Sequence, residues 1–473
     1  MKLTLGQIAD LIHAEGDFTT SAEALGYSID SRTINAGELF FAVKGERVDG
    51  HDFVETALAN GAVAAVVSMD WLAPDEPERI DPCKLLRVPA GSEESDGSEG
   101  SPDAVLLALQ HLARAVRRQW GKRVIAVTGS AGKTTTKEAV AQVLDARFHV
   151  LKSEGNLNNH FGLPLQLLKL ELEHDVAVIE MGMNHAGEIT ALCAIAEPDW
   201  GVVSNVAPVH LEHFPDGIAG IARAKYELIA ALPEEGLAIL NADDPYVAAF
   251  GRGLGERNVF YGVDWSAQVR AEEIVDYGFE GILFTALAGG ERSEIRLQLP
   301  GRHNVSNALA AIAVGIKSGM SLTDCTTALA SLRPSDRRGE LIEWRGAKIV
   351  NDCYNSNPRA LDAMVDALRA TPSERRVVVA GEMLELGPAG DELHAACGRR
   401  MAERGIDLVV GVRGLAAVLV AGARDAGAEA IFFPTTEAAG TWLRSNLRAG
   451  DAVLFKASRG VRLERALTQV LAP

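Results

Sequence analysis

A chain of 473 residues is too long to share one hydrophobic core, so two to four domains are expected. With 47% hydrophobic and 23% charged residues, its make-up is that of an ordinary soluble globular protein. A formal charge of −18 argues against an extended nucleic-acid or anionic-membrane surface, so an anionic substrate needs positive charge gathered at its own site.

In chain order, Leu3, Ile8, Leu11 and Ile12 recur at helical spacing and predict an amphipathic helix in a small α/β unit spanning 1–90. Gly91 to Pro102 is acidic, rich in Ser and Gly and devoid of apolar residues, which predicts a flexible insert over 91–103. Ala104 to Trp120 reads as a helix leading into the β-branched run Val124 to Thr128. The apolar runs Asp175 to Gly182, Trp200 to Val206 and Leu237 to Asn241 then alternate with helical patterns. Such alternation predicts a mostly parallel, doubly wound α/β sheet in a central domain over 104–332. Gly281 to Leu287 and Glu294 to Leu299 predict an antiparallel elaboration, and Asn304 to Ser318 a helix. A break at Arg333-Pro334-Ser335-Asp336 precedes five more strand candidates: Lys348 to Asp352, Arg376 to Gly381, Asp407 to Gly411, Ala430 to Phe433 and Ala452 to Phe455. These predict a second doubly wound domain over 333–473.

Cys83, Cys193, Cys325, Cys353 and Cys397 are odd in number and widely spaced, which fits reduced thiols and neither a disulfide framework nor a zinc site. No apolar run reaches membrane-spanning length, and the first residues lack a secretory pattern, so a cytoplasmic location is expected.

The most informative residues are Gly129-Ser130-Ala131-Gly132-Lys133-Thr134, directly after the strand ending at Thr128. Glycines let backbone N–H groups close around phosphate oxygens, Lys133 adds a point charge, and the Thr134 hydroxyl can reach Mg²⁺. The loop is shorter than the usual phosphate loop, with Val127 where an outer glycine is expected. A strand-turn-helix junction that happens to carry a lysine is the competing reading.

Four clusters follow. Glu180, in Val178-Ile179-Glu180-Met181-Gly182, sits where doubly wound folds place ligands and is either a metal ligand or a solvated loop residue. His210, in Ser204 to His213, is either functional or structural. Lys225, in Ala224-Lys225-Tyr226-Glu227, is either a surface lysine or an amine that takes up CO₂ to become an oxygen-liganding carbamate. Asn304 and Asn307, a turn apart after Gly301-Arg302-His303, can present amides to a base or ribose, or cap a helix.

Together these residues are similar to the Mur ligase family, the ATP-dependent ligases that build the peptide of the bacterial cell-wall precursor. The resemblance covers nearly the whole chain. Thr128 to Thr135 resembles the family's short phosphate loop, which lacks the outer glycine. The resemblance makes Gly129, Ser130, Ala131, Gly132, Lys133, Thr134 and Thr135 ATP-binding. It places Glu180 as first-magnesium carboxylate, His210 as second-magnesium ligand and Lys225 as a carbamylated lysine, with Lys133, His210 and Lys225 catalytic. Asn304, Arg338 and Asp352 match positions that hold adenine, ribose and phosphate.

Three stretches resemble the branch of the family that accepts D-alanyl-D-alanine: Gly155 to Asn159, Asp352 to Pro358 and Gly381 to Gly387. They point to Asn156, Asn158, Asn159, Asn355 and Asn357 as substrate-binding, joined by Lys456 and Ser458 in Lys456-Ala457-Ser458-Arg459-Gly460. Asp30-Ser31-Arg32 resembles part of the family's UDP-binding domain, which makes Ser31 and Arg32 candidates. The chain departs from the family pattern at Tyr226, Glu382 and Ala457. The resemblance implies ATP, two Mg²⁺ sites and carbamylated Lys225. It further implies UDP-N-acetylmuramoyl-tripeptide and D-alanyl-D-alanine as substrates of a monomer, with the C-terminal domain closing on ATP. A Mur-type or folylpolyglutamate-type ligase with a different acceptor, or a non-catalytic ATP sensor, are the alternatives.

Overall fold

The computed structural model describes residues 1–45, 48–72, 80–89, 103–209 and 211–472. Most of the expected insert (91–102) and His210 lie outside the described residues.

Three larger sheets organise the chain. The N-terminal one has four parallel strands in the order Gly26–Ser28, Glu38–Phe41, Ala64–Ser68, Leu85–Val88. The helix Leu5–Ile12 begins at Thr4, whose side chain accepts from the Gln7 amide in a capping box. Leu5, Ile8, Ala9 and Ile12 therefore form the buried stripe. Two of the four residues expected in that stripe fall outside it. Leu3 precedes the cap in a two-residue strand, and Leu11 is 37% exposed. Asp103, at the end of the acidic stretch, accepts from the Val105 and Leu106 amides and caps the helix Ala104–Trp120.

The central sheet has nine strands: Glu291–Leu297, Ile282–Ala288, Val269–Asp276, Asn258–Gly262, Leu237–Asn241, Trp200–Val203, Arg123–Thr128, Val176–Glu180 and Val150–Lys152. From Val269–Asp276 to Val150–Lys152 all pairings are parallel, and the two outer strands add antiparallel. Arg123–Thr128 lies between two strands that follow it in the chain. Its carboxyl end thus opens at the switch point where doubly wound sheets bind ligands. Val124, Ile125, Ala126 and Val127 are 0% exposed, which is why this strand reads as a continuous apolar run. The run expected to reach Val206 ends as a strand at Val203, because residues from Ser204 onward turn to meet the phosphate loop.

The C-terminal sheet has six strands: Glu340–Trp344, Ala347–Asp352, Asp451–Lys456, Arg375–Gly381, Leu408–Val412 and Glu429–Phe433. The first is an antiparallel edge strand beyond the five expected. Its two glutamates and its exposed or half-exposed apolar residues carry little burial signal. The C-terminal unit meets the central one where the Phe279 amide donates to Thr371 Oγ1 (2.9 Å) and Lys348 pairs with Glu280 (2.5 Å). Nearer the carboxyl ends, Gly387 approaches Glu212 and Arg359 stands 4.0 Å from Asp244. No described helix is long and apolar enough to cross a membrane.

Candidate active site

The phosphate loop joins the strand Arg123–Thr128 to the helix Lys133–Asp145 through two positive-φ glycines, Gly129 (φ 146°) and Gly132 (φ 79°). At Gly129 a Cβ would lie 1.9 Å from Ser204 Oγ, so the backbone packs where no side chain fits. Gly129→Ala is expected to destabilise the fold by roughly 2–4 kcal/mol in denaturant titration, since steric overlap adds to backbone strain. A wild-type midpoint would contradict this close approach.

Asn205 latches the loop. Its carbonyl accepts from the Ser130 amide (2.9 Å), its Oδ1 from the Ala131 amide (3.0 Å), and its Nδ2 donates to Ala131 O (2.9 Å). Ser130 Oγ and the Ala207 amide add another bond at 2.9 Å. The helix that follows has no side-chain cap, so its first-turn amides remain free to face an anion. Lys133 Nζ folds back onto Gly129 O at 3.0 Å. Burial lowers its pKa, opposed by Glu180 and reinforced by Arg338.

Glu180 ends the neighbouring strand and is 3% exposed, not a solvated loop residue. Thr134 Oγ1 donates to its Oε2 (2.8 Å) and Asn158 Nδ2 to its Oε1 (2.7 Å). Carboxylate and hydroxyl together offer hard oxygen donors of the kind a divalent cation takes. Among the described residues, which exclude His210, no group of three or more His, Cys, Asp or Glu is arranged to hold a metal.

Lys225, on the helix Ile218–Ala230, is 2% exposed and so no surface lysine. Among the described residues its Nζ makes one long contact, 3.5 Å to Thr128 Oγ1, a hydroxyl that itself donates to Met181 O. Among the described residues no carboxylate lies within ion-pair distance of it. Burial drives its pKa well down, Lys133 adds to the effect, and Glu227, Glu180 and Glu188 only partly oppose it. The shift runs toward the neutral, nucleophilic form of the amine.

Two further walls close the cleft. Asn304 and Asn307 are buried in the helix His303–Lys317, and neither is its N-cap, which is Arg302. Asn307 donates to Asn304 Oδ1 (2.8 Å) and accepts from Thr136 Oγ1 (3.0 Å). Asn304 Nδ2 donates to Pro300 O (2.8 Å). One Nδ2 hydrogen and a carbonyl lone pair of Asn304 remain for a base. From the C-terminal unit, Arg338 stacks on Tyr354 with its guanidinium 3.7 Å from the ring centroid. Asp352 pairs with Lys456 at 2.5 Å, and burial raises its pKa while Lys456 and Arg338 pull it back.

The remaining candidates divide. Ser458 accepts from the Leu384 amide (3.0 Å), and Lys456 also donates to Asn355 O (2.9 Å), so these join the Asp352 wall. Asn357 caps the helix Pro358–Ala370 by accepting from Ala360, and Asn159 accepts from the Gly162 amide. Asn156 is exposed. Ser31 is buried, and Arg32 is an exposed side chain bonded to Asp30. Among the described residues no hydrogen bond or ion pair links either to the phosphate loop. Sequence reasoning passed over Asn205, Thr128, Ser153 and Tyr354. Asn205 was within reach, since it lies in the stretch that singled out His210.

Comparison with known proteins identifies the family. The Mur ligase middle domain matches residues 127–315, the Mur ligase glutamate ligase domain 337–459, and the Mur ligase family catalytic domain 24–90. The UDP-N-acetylmuramoyl-tripeptide--D-alanyl-D-alanine ligase of Bacillus subtilis (strain 168) is 35% identical over 450 residues, covering 94% of this chain and 93% of the relative. A crystal structure of MurF from Acinetobacter baumannii superposes with TM-score 0.86 at 30% identity, covering 100% of this chain and 99% of that one. The MurF ligase from Thermotoga maritima, solved in complex with ADP, gives TM-score 0.78 at 29% identity over 94% of this chain and 96% of that one. By these matches, which run over most of its length, the chain belongs to the Mur ligase family.

Proposed function

We propose that this chain is the ATP-dependent ligase that joins D-alanyl-D-alanine to UDP-N-acetylmuramoyl-tripeptide, in the cytoplasmic assembly of the peptidoglycan precursor. The observation that carries it is the convergence, at one strand switch point, of an uncapped phosphate-loop helix, the Thr134–Glu180 oxygen pair and the buried amine of Lys225, which has no ion partner among the described residues. The Gly155 to Asn159, Asp352 to Pro358 and Gly381 to Gly387 stretches, with the relatives' names, support the choice of acceptor.

The peptide carboxylate is a poor electrophile, so it first attacks the γ-phosphorus of ATP, giving an acyl phosphate and ADP. The dipeptide amine then attacks the acyl carbon, loses a proton and expels phosphate. Positioning and charge neutralisation dominate such a reaction. Lys133 and the free first-turn amides of Lys133, Thr134 and Thr135 take the β- and γ-phosphate oxygens. Glycines 129 and 132 let the Ser130-Ala131 loop wrap the triphosphate. Arg338, stacked on Tyr354, brings a second cation from the opposite wall, and Asn304 meets the base.

Thr134 and Glu180 fit one Mg²⁺, and Lys225 as a carbamate, with His210, a second; the bound ions supply charge neutralisation to the phosphoryl group. In its neutral form Lys225 would give that carbamate by attacking CO₂ and releasing one proton. Asn156, Asn158, Asn159, Asn355, Asn357, Lys456 and Ser458 serve the peptide substrates, and Ser31 and Arg32 the uridine diphosphate end. The proposed division is 1–90 for the UDP substrate, 104–332 for ATP, and 333–473 for closure and the dipeptide.

The test is phosphate release, with the product weighed by mass spectrometry. Release that requires ATP, UDP-N-acetylmuramoyl-tripeptide and D-alanyl-D-alanine together is expected. Turnover with a single amino acid or a folate in place of the dipeptide would sink the acceptor assignment while sparing the ATP site.

A further inference from the structure

Lys137 stands out among the buried charges outside the reaction described above. It lies on the phosphate-loop helix three residues beyond Thr134, on the same face, and is 1% exposed. Its Nζ donates to Ser153 O at 2.5 Å and stands 2.7 Å from Glu138 Oε1. The other oxygen of Glu138 meets Lys152 Nζ at 2.5 Å. Burial acts to raise the Glu138 pKa, and the two ammonium groups overcome it and leave it lowered.

Ser153 faces two ways. While its carbonyl takes the lysine, its hydroxyl accepts from the Glu180 amide at 2.9 Å, and its own amide donates to Val178 O at 3.0 Å. Glu180 in turn accepts from Thr134, which closes a ring of contacts: helix, Lys137, Ser153, Glu180, Thr134, helix. The strand leading into Ser153, Val150–Lys152, is a three-residue edge strand paired on one side only, so the ladder alone holds this segment weakly.

We infer that Lys137 is a positioning residue which, through Ser153, sets the place of the Glu180 carboxylate relative to Thr134 for a divalent cation. The inference rests on the proposed reading of Thr134 and Glu180 as ligands of one Mg²⁺. Stability alone does not account for it, because a buried ion pair is commonly matched or bettered by apolar side chains of similar volume. An outer group that orients a metal-binding carboxylate does call for a fixed donor at that spot.

The test is calorimetric titration of ADP into the full chain, once with Mg²⁺ and once with EDTA. K137M is expected to weaken Mg²⁺-ADP binding by about tenfold or more and to change metal-free ADP binding by less than about twofold. S153A, which keeps the carbonyl and removes only the hydroxyl under the Glu180 amide, is expected to show the same split. Unchanged Mg²⁺-ADP affinity in folded K137M, or an equal loss with and without Mg²⁺, overturns the inference. Should K137M not fold, unchanged Mg²⁺-ADP affinity in S153A, or an equal loss with and without Mg²⁺, still overturns the inference, because it breaks the link through Ser153 to Glu180. Wild-type protein whose ADP affinity ignores Mg²⁺ would instead remove the metal reading itself, before any substitution is made.

Discussion

Replacing Lys133 by alanine is expected to lower ligation by roughly 10³-fold or more while leaving the melting temperature within a few degrees of wild type. The ammonium is the side-chain cation of the phosphate loop itself, and its one hydrogen bond among the described residues, to Gly129 O, is local. Its loss therefore removes charge stabilisation of the transferring phosphoryl group without opening the core. The backbone shape survives, because Asn205 and the two glycines hold the loop independently of the lysine. Turnover by single-turnover phosphate release, read beside thermal melting, separates the two effects. A variant with wild-type turnover would end the assignment of this loop to ATP.

The second large effect is expected at Lys225. Lys225→Ala should lose about 10²–10³-fold in turnover, and formate or acetate in solution should restore at least about tenfold by filling the place of the carbamate oxygens. The pH dependence has a definite sign. Carbamate formation needs the neutral amine, and burial holds the folded-state pKa well below the ordinary lysine value. Activity should fall as pH drops through that lowered pKa. In the window between the two values the unfolded chain binds the extra proton, so the stability contribution of this group rises with pH. Full activity of the unrescued alanine variant, in buffer purged of CO₂, would remove the carbamate from the mechanism.

Much of the fold was legible because its strands are buried on both faces. Runs such as Val124 to Thr128 and Leu237 to Asn241 carry unbroken apolar character, and their ends are marked by glycine, proline or charge. Val150–Lys152 and Glu340–Trp344 escaped because edge strands pair on one side, expose half their residues and blur the pattern. Leu11 escaped for a related reason: periodicity counts apolar residues, whereas the cap at Thr4 sets which of them turn inward.

The chain's own residues determined the chemistry on offer: a phosphate loop, a carboxylate at a strand end, a lysine on a helix and paired asparagines, each locally ambiguous. Only the tertiary structure decided between the readings, since solvation and distance are not local properties. Folding buries Lys225 with no ion partner among the described residues and seals Glu180 between Thr134 and Asn158. It also makes Asn307 a brace for Asn304 and the phosphate-loop helix, not a cap. The same side chains in water would be an ordinary ammonium, a hydrated carboxylate and a free amide. Desolvation at a strand switch point is what turns them into a site.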